Sequence, residues 1–200
     1  TMSSSTGVDT NGFSGATIEN VAVYNNALST KTIIEVFGGA SKIGFKHVTI
    51  SGENIANSAF KYCVNLQDVS FVSKQMIEIS DNAFSGCTKL TSAILDNASR
   101  TIKIIGKAAF KECNISQFNL PLGVITIGDN IFEKCRELTG IDISSGCDLS
   151  YISDYAFYNC SKLKTFSVSD NITTIGKSAF EGDVCLNSII LAPDTKLTVD

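Results

Sequence analysis

Phenylalanine recurs along this chain at a nearly fixed spacing: Phe13, Phe37, Phe60, Phe84, Phe110, Phe132, Phe157 and Phe180 follow one another at intervals of 24, 23, 24, 26, 22, 25 and 23 residues. A period running from end to end restricts the fold to a stack of similar coils, because a unit this short cannot bury its own apolar side chains and must lay them against its neighbours. The phrase around each phenylalanine supports this. Five residues before the last six stands isoleucine (Ile55, Ile79, Ile105, Ile127, Ile152, Ile175), followed by a small residue (Ala56, Ser80, Gly106, Gly128, Ser153, Gly176). Small residues there let backbones approach closely. Three residues after the phenylalanine, five copies carry cysteine (Cys63, Cys87, Cys113, Cys135, Cys160). An apolar run then follows with the spacing Φ-x-x-Φ-x-Φ, as in Leu66/Val69/Phe71 and Leu163/Phe166/Val168. Alternation at period two predicts a strand with one face buried.

Unbroken repetition leaves no place for a domain boundary, so residues 1–200 are expected to form a single solenoid. Residues 1–50 hold degenerate turns. There Val8 and Ala16 take the isoleucine and cysteine places, and around Phe37 and Ala40 the strand Phe45/Val48/Ile50 comes late, while the stretch from Leu28 to Gly38 is open to a short helix. Residues 51–200 hold regular turns. Length varies mainly after the strands, so the segments Asp96–Thr101 and Ser144–Asp148 are expected to protrude along one edge. The chain stops part-way into a turn and begins T-M-S-S-S-T without the basic end and apolar run of a secretion signal. A fragment of a longer array is therefore expected. No window approaches 18 uninterrupted apolar residues, so no transmembrane segment is expected.

The net charge is −4, with 16 Lys and Arg residues that are scattered along the chain, which argues against nucleic acid as a partner. The seven cysteines are an odd number, five of them at one repeat position. On stacked coils such positions lie about 4.8 Å apart with parallel side chains, whereas a disulfide needs Cβ atoms about 3.8 Å apart and turned toward each other. Buried free thiols acting as small hydrophobes are expected. Cys147, in a loop, and Cys185 are the two expected to react. No paired ligands stand at zinc spacing, no calcium-loop spacing occurs and no G-x-G-x-x-G is present, so no metal or cofactor is expected. His47, the single histidine, falls at an outward sheet position, and no Ser/His/Asp or Cys/His set assembles around it. No enzyme is expected.

The pattern I-(G/S)-x-x-A-F-x-x-C-x-x-L-x-x-Φ-x-Φ, seen in I-G-K-A-A-F-K-E-C, I-S-D-Y-A-F-Y-N-C-S-K-L and I-G-K-S-A-F, resembles the leucine-rich repeats of BspA-like surface proteins. It covers essentially the whole chain and is poor between Leu28 and Phe45. The cysteine precedes the strand here, unlike the usual leucine-rich signature. What the resemblance implies is a leucine-rich-repeat solenoid: a curved right-handed coil of about eight turns of 22–26 residues, with a parallel β-sheet on the concave face and short helical or irregular turns elsewhere. It also implies a role in adhesion or host contact at the cell surface or in secreted form, with a host or neighbouring-cell protein or glycan as partner.

The template commits Ile, Phe, Cys and the strand leucines to packing, so specificity is expected among the sheet positions between them. These are Asp68, Ser70, Ser92, Ile94, Gln117, Asn119, Asp142, Thr165, Ser167 and Ile190. That face is small, polar and nearly uncharged, and lacks the Trp, Tyr and Arg that usually anchor tight interfaces. A structural spacer or display scaffold is the alternative, and a domain of an enzyme or intracellular regulator a third. Asn97, Asn114, Asn159 and Asn171 head Asn-x-Ser/Thr sequons. Of these Asn97, in the longest loop, is the plausible acceptor in a secreting eukaryote.

Overall fold

Each copy of the repeat lays down two strands separated by turns, and successive copies stack so that like pairs with like. The structure, a computed structural model, describes residues 20–23, 46–50, 54–71, 77–95, 101–143, 146–193 and 196–199. The possible helix from Leu28 to Gly38, the copies at Phe13 and Phe37, and the Asp96–Arg100 part of the first edge loop lie outside these residues. Four-residue strands form one column: β1 (Asn20–Val23), β2 (His47–Ile50), β4 (Asp68–Phe71), β6 (Ser92–Leu95), β8 (Gln117–Leu120), β10 (Gly140–Ile143), β12 (Thr165–Val168) and β14 (Ser188–Leu191). Two-residue strands ending on the isoleucines form a second: β3 (Asn54–Ile55), β5 (Glu78–Ile79), β7 (Ile104–Ile105), β9 (Thr126–Ile127), β11 (Tyr151–Ile152), β13 (Thr174–Ile175) and, at Thr198–Val199, β15. Every paired strand is parallel, and equivalent repeat positions face each other, as in Val48↔Val69 and Phe118↔Ile141. This is the expected leucine-rich-repeat solenoid. Among the described residues its connections are turns, with no helix.

The phenylalanine segments form a third hydrogen-bonded column that is not a β-sheet. The amides of Ser58, Phe60 and Tyr62 donate to the carbonyls of Asp81, Ala83 and Ser85 on the next turn, at 2.8, 2.7 and 2.8 Å. The same three bonds recur from turn to turn, for example Asn130, Phe132 and Lys134 onto Asp154, Ala156 and Tyr158. To aim alternate amides the same way, the chain adopts left-handed backbone two residues before and two after the phenylalanine. Ala108 (φ 52°) and Glu112 (φ 60°) flank Phe110, and Asn130 (φ 59°) and Lys134 (φ 60°) flank Phe132. For non-glycine residues this conformation costs roughly 1–3 kcal/mol each and persists only where the surroundings impose it. Stacking imposes it here.

The core lies between the three columns. The phenylalanine rings from Phe60 to Phe180 stack nearly parallel, with centroids 5.2 to 5.8 Å apart and interplanar angles of 3° to 12°. Phe71, Phe118 and Phe166 come in from the long strands, steeply inclined to these rings. Offset and edge-on aromatic packing adds to what burial alone contributes. At Gly106 and Gly128 the small residue after the isoleucine has the expected cause: a Cβ there would collide with the backbone of Asp81 or Lys107, one turn back.

The cysteine ladder is buried and unpaired, as expected. It does more than fill space. The thiols of Cys87, Cys113, Cys135 and Cys160 donate to the carbonyls of Phe60, Phe84, Phe110 and Phe132, one turn back, at 3.0, 3.2, 3.0 and 3.1 Å. Each of those carbonyls also accepts the amide of the cysteine in its own turn, so both of its lone pairs are used.

Cys147 corrects an expectation. It does not protrude. It is fully buried, with its sulfur 3.6 Å from the carbonyls of Pro121 and Val124, and burial pushes its thiol pKa up. Cys147 lies over the preceding turn, where its thiol meets these two acceptors, and Asn171 Nδ2 secures it from the following turn by donating to the Cys147 carbonyl at 2.7 Å. Of the seven cysteines only Cys185 is exposed.

Charge complementarity aligns two of the turns. Lys107 faces Asp129 (4.0 Å), Lys111 faces Glu133 (2.7 Å) and Glu112 faces Lys134 (3.6 Å), each pair joining equivalent positions around Phe110 and Phe132. A register slip would set these charges against the wrong neighbours. Glu133 is the buried member. Burial raises its pKa, but the ammonium groups of Lys111 and Lys134 outweigh burial and leave it below its ordinary value.

Candidate functional site

On the outer face of the long strands, the residues singled out in the sequence fall into two rows. Asp68 pairs with Ser92, and Ser70 with Ile94, across β4 and β6. Asn119 pairs with Asp142 across β8 and β10. Thr165 pairs with Ser188, and Ser167 with Ile190, across β12 and β14. The alternation that points Phe118, Leu120, Phe166 and Val168 inward turns Gln117, Asn119, Thr165 and Ser167 to solvent. Toward β4 the face is more closed, with Asp68, Ser70 and Ser92 only half-exposed. Ile94 and Ile190 are its apolar points, at 61% and 54% exposure.

Some of this polarity is already engaged. His47 Nδ1 lies in hydrogen-bond contact with Asp68 Oδ2, both on the surface. Gln117 lies across Gly140, a Cβ on which would sit 2.9 Å from its Oε1, and its Nε2 donates to Thr139 Oγ1 at 2.6 Å. Ile94, Asn119, Asp142 and Ser167 are the exposed central points. Among the described residues no three His, Cys, Asp or Glu side chains gather as metal ligands, and there is no helix long and apolar enough to cross a membrane. Of the sequon asparagines, Asn114 is exposed, Asn159 is a left-handed turn residue and Asn171 is bonded to Cys147. Asn97 lies outside the described residues.

Two features escaped the sequence reading. Asp183 stands three residues after Phe180, where other copies carry cysteine. It is 8% exposed, neither carboxylate oxygen has a hydrogen-bond partner, and burial pushes its pKa up to about 8. The second is a groove of about 380 Å³ on the phenylalanine-turn face, crossing the turns of Phe60, Phe84, Phe110 and Phe132. It exists because the Phe84 turn carries Ser85-Gly86 where its neighbours carry Lys61-Tyr62, Lys111-Glu112 and Glu133-Lys134. That signal was present in the sequence as two small residues at positions otherwise filled by long ones.

The comparisons bear on the whole architecture. The family model described as a BspA type leucine rich repeat region matches residues 32–104 and 97–198, with six copies. Among solved structures, a leucine-rich repeat protein from Bacteroides ovatus is 26% identical with a TM-score of 0.66, over 76% of this chain and 39% of that one. This chain therefore spans well under half of that protein. The leucine-rich repeat protein of T. pallidum is 17% identical with a TM-score of 0.57, over 90% of this chain and 78% of that one, a likeness of fold. A comparison with curated proteins finds no match. With the parallel strand columns, the isoleucine and phenylalanine ladders and a family match over most of its length, the chain belongs to the BspA-type leucine-rich-repeat proteins.

Proposed function

We propose that this chain is a non-enzymatic recognition module of a cell-surface or secreted adhesin, taking a host or neighbouring-cell surface protein or glycan on the outer face of its long strands. The observation that carries this is the contrast between the two faces of the column of long strands. Inward positions are apolar at every turn, as in Val69, Ala93, Phe118, Ile141 and Phe166, while outward positions change in polarity and charge from one turn to the next: Ser70, Ile94, Asn119, Asp142, Ser167, Ile190. Packing demands the first and leaves the second free. An isoleucine 61% exposed at position 94, on the last strand of the β1-β2-β4-β6 sheet, suits a contact point, and weak contacts spread over adjacent strands sum to useful affinity. The surface placement rests on the family.

The internal engagement of Asp68 with His47 and of Gln117 with Thr139 favours a second reading, a spacer whose face is already satisfied. An array of glycans and matrix proteins, probed with the native protein and with the triple variant Ile94→Lys, Asn119→Lys, Asp142→Lys, separates the two. Recognition predicts a bound partner that the triple variant loses while its melting temperature stays within a few degrees. No binding at high protein concentration supports the spacer.

A further inference from the structure

We propose that the groove on the phenylalanine-turn face is a separate binding site, for an acidic saccharide. One wall is the ring of Tyr62, 54% exposed and laid against Gly86, where any Cβ would strike its Cδ1 and lie 2.7 Å from its Cε1. Gly86 adopts φ +75° and leaves room for the ring, so an aromatic face is held in place at the mouth of a polar depression. Lys61 Nζ stands 5.2 Å from the centre of that ring and 3.4 Å from Asn82 Oδ1. The opposite wall is a built network in which buried Glu133 accepts from Lys111 Nζ at 2.7 Å and from Asn130 Nδ2 at 2.9 Å.

The chemistry of the lining selects the ligand class. The volume lies within the roughly 300–1,000 Å³ of small-molecule sites, but those are usually lined by apolar side chains. Here ammonium, amide, hydroxyl and carboxylate groups line the groove beside a single aromatic ring. Donors and acceptors together match vicinal hydroxyls, which both give and take hydrogen bonds, and the ring offers a face to the C–H side of a sugar. The charge balance selects an acid. Glu133 is neutralised by Lys111 and Lys134, and Glu112 faces Lys134 at 3.6 Å. The partner seen for Lys61 is the neutral Asn82, and Lys107 reaches Asp129 only at 4.0 Å, with both side chains about half exposed. Lys61 has no carboxylate partner among these contacts and Lys107 only the long one to Asp129, so both offer charge to a ligand carboxylate. The site does not depend on the sheet-face reading, since it lies on a different column of the coil.

Titration of the native protein with glucuronate, followed by amide NMR, tests this, with glucose and acetate as separate controls. Saturable shifts at Tyr62, Asn82, Ser85 and Glu112 are expected with glucuronate, weaker ones with glucose, and none of equal affinity with acetate. Tyr62→Gly should weaken binding by about tenfold, the loss expected when an aromatic contact is removed. It should also fold, because glycine already occupies the same left-handed position at Gly86 and Gly182. Lys61→Ala combined with Lys107→Ala should bring glucuronate down to the affinity of glucose. Absence of saturable shifts, equal affinity for acetate, or unchanged binding in Tyr62→Gly would each overturn the proposal.

Discussion

The thiol of Cys135 donates to the carbonyl of Phe110, 3.0 Å away and one full turn back, so a residue that reads as a small hydrophobe is also a rung in the hydrogen-bonded stack. Cys135→Ala should therefore lose both the buried sulfur and the donor to a carbonyl that water cannot reach, and lower stability by about 1–3 kcal/mol. Chemical denaturation reads this directly. A Cys185→Ala control should be close to neutral, and equal losses would mean that the ladder thiols contribute no more than surface ones.

Reactivity separates the same residues. Burial raises the pKa of Cys147 and of Cys160, and at Cys63 the hydrogen bond with the Cys87 thiol raises it most, with burial acting in the same direction. Since thiolate is the nucleophile, native protein should react with a thiol reagent at Cys185 alone, and at all seven cysteines in denaturant. Fast native labelling of Cys147 would show that its loop opens.

Phe132 is fully buried between Phe110 and Phe157, whereas Phe180 stacks on Phe157 and is only partly buried. Phe132→Ala is expected to cost about 3–5 kcal/mol and Phe180→Ala clearly less. Matched unfolding curves test the ranking, and equal losses would contradict nearest-neighbour stacking as the source of stability.

Two buried acids should act on stability in opposite senses as pH changes. Asp183 has its ordinary value of 3.8 when unfolded and about 8 when folded. Between these values the folded state holds the extra proton, so its contribution falls as pH rises through that window, by at most about 1.4 kcal/mol per pH unit. Asp183→Asn should flatten that slope. Asp183→Cys, which restores the ladder residue, should raise the denaturation midpoint at pH 8, and an unchanged midpoint would argue against the ladder role.

Glu133 runs the other way. Held below its ordinary 4.5 by Lys111 and Lys134 against the effect of burial, it contributes stability that is present above about that pH and is lost as pH falls through the folded value. Glu133→Gln should reduce the acid sensitivity of the protein and lower its stability at neutral pH. A variant as acid-sensitive as the parent would show that the Lys111–Glu133 pair is solvated in solution.

What could be read in the chain was whatever repeats. Ile79, Phe84, Cys87 and Leu90 meet the same packing demand as their counterparts a turn away, so spacing alone places them in the core, and the strand register follows. Cys147 was misread because an insertion occurs once and has no other copy to show which way it folds. Asp183 was visible as an exception at the cysteine position, but a template drawn from the majority hides its exceptions. The left-handed positions were signalled only in part: Asn82, Asn130, Asn159, Gly86 and Gly182 are types that adopt that conformation readily, whereas Tyr62, Ala108, Glu112 and Lys134 are not, and the neighbouring turns force it on them. The sheet-face residues lie on the outward side of the long strands, yet no sequence pattern announced that Gln117 would be tied down by Thr139 or Asp68 by His47.

The column of turns built on Phe60 to Phe180 has a direction. Three peptide units per turn point their N–H groups toward the C-terminal end and their carbonyls toward the other, so their dipoles add along the axis much as a helix's do, with the donor pole at the opposite terminus. Among the described residues, the amides of Ser178, Phe180 and Gly182 have no following row of carbonyls to meet. A donor pole can seat an acceptor pole but not its own kind. Each turn added to the stack must therefore run in the same direction as the one before it, and a turn laid down in reverse would set donors against donors.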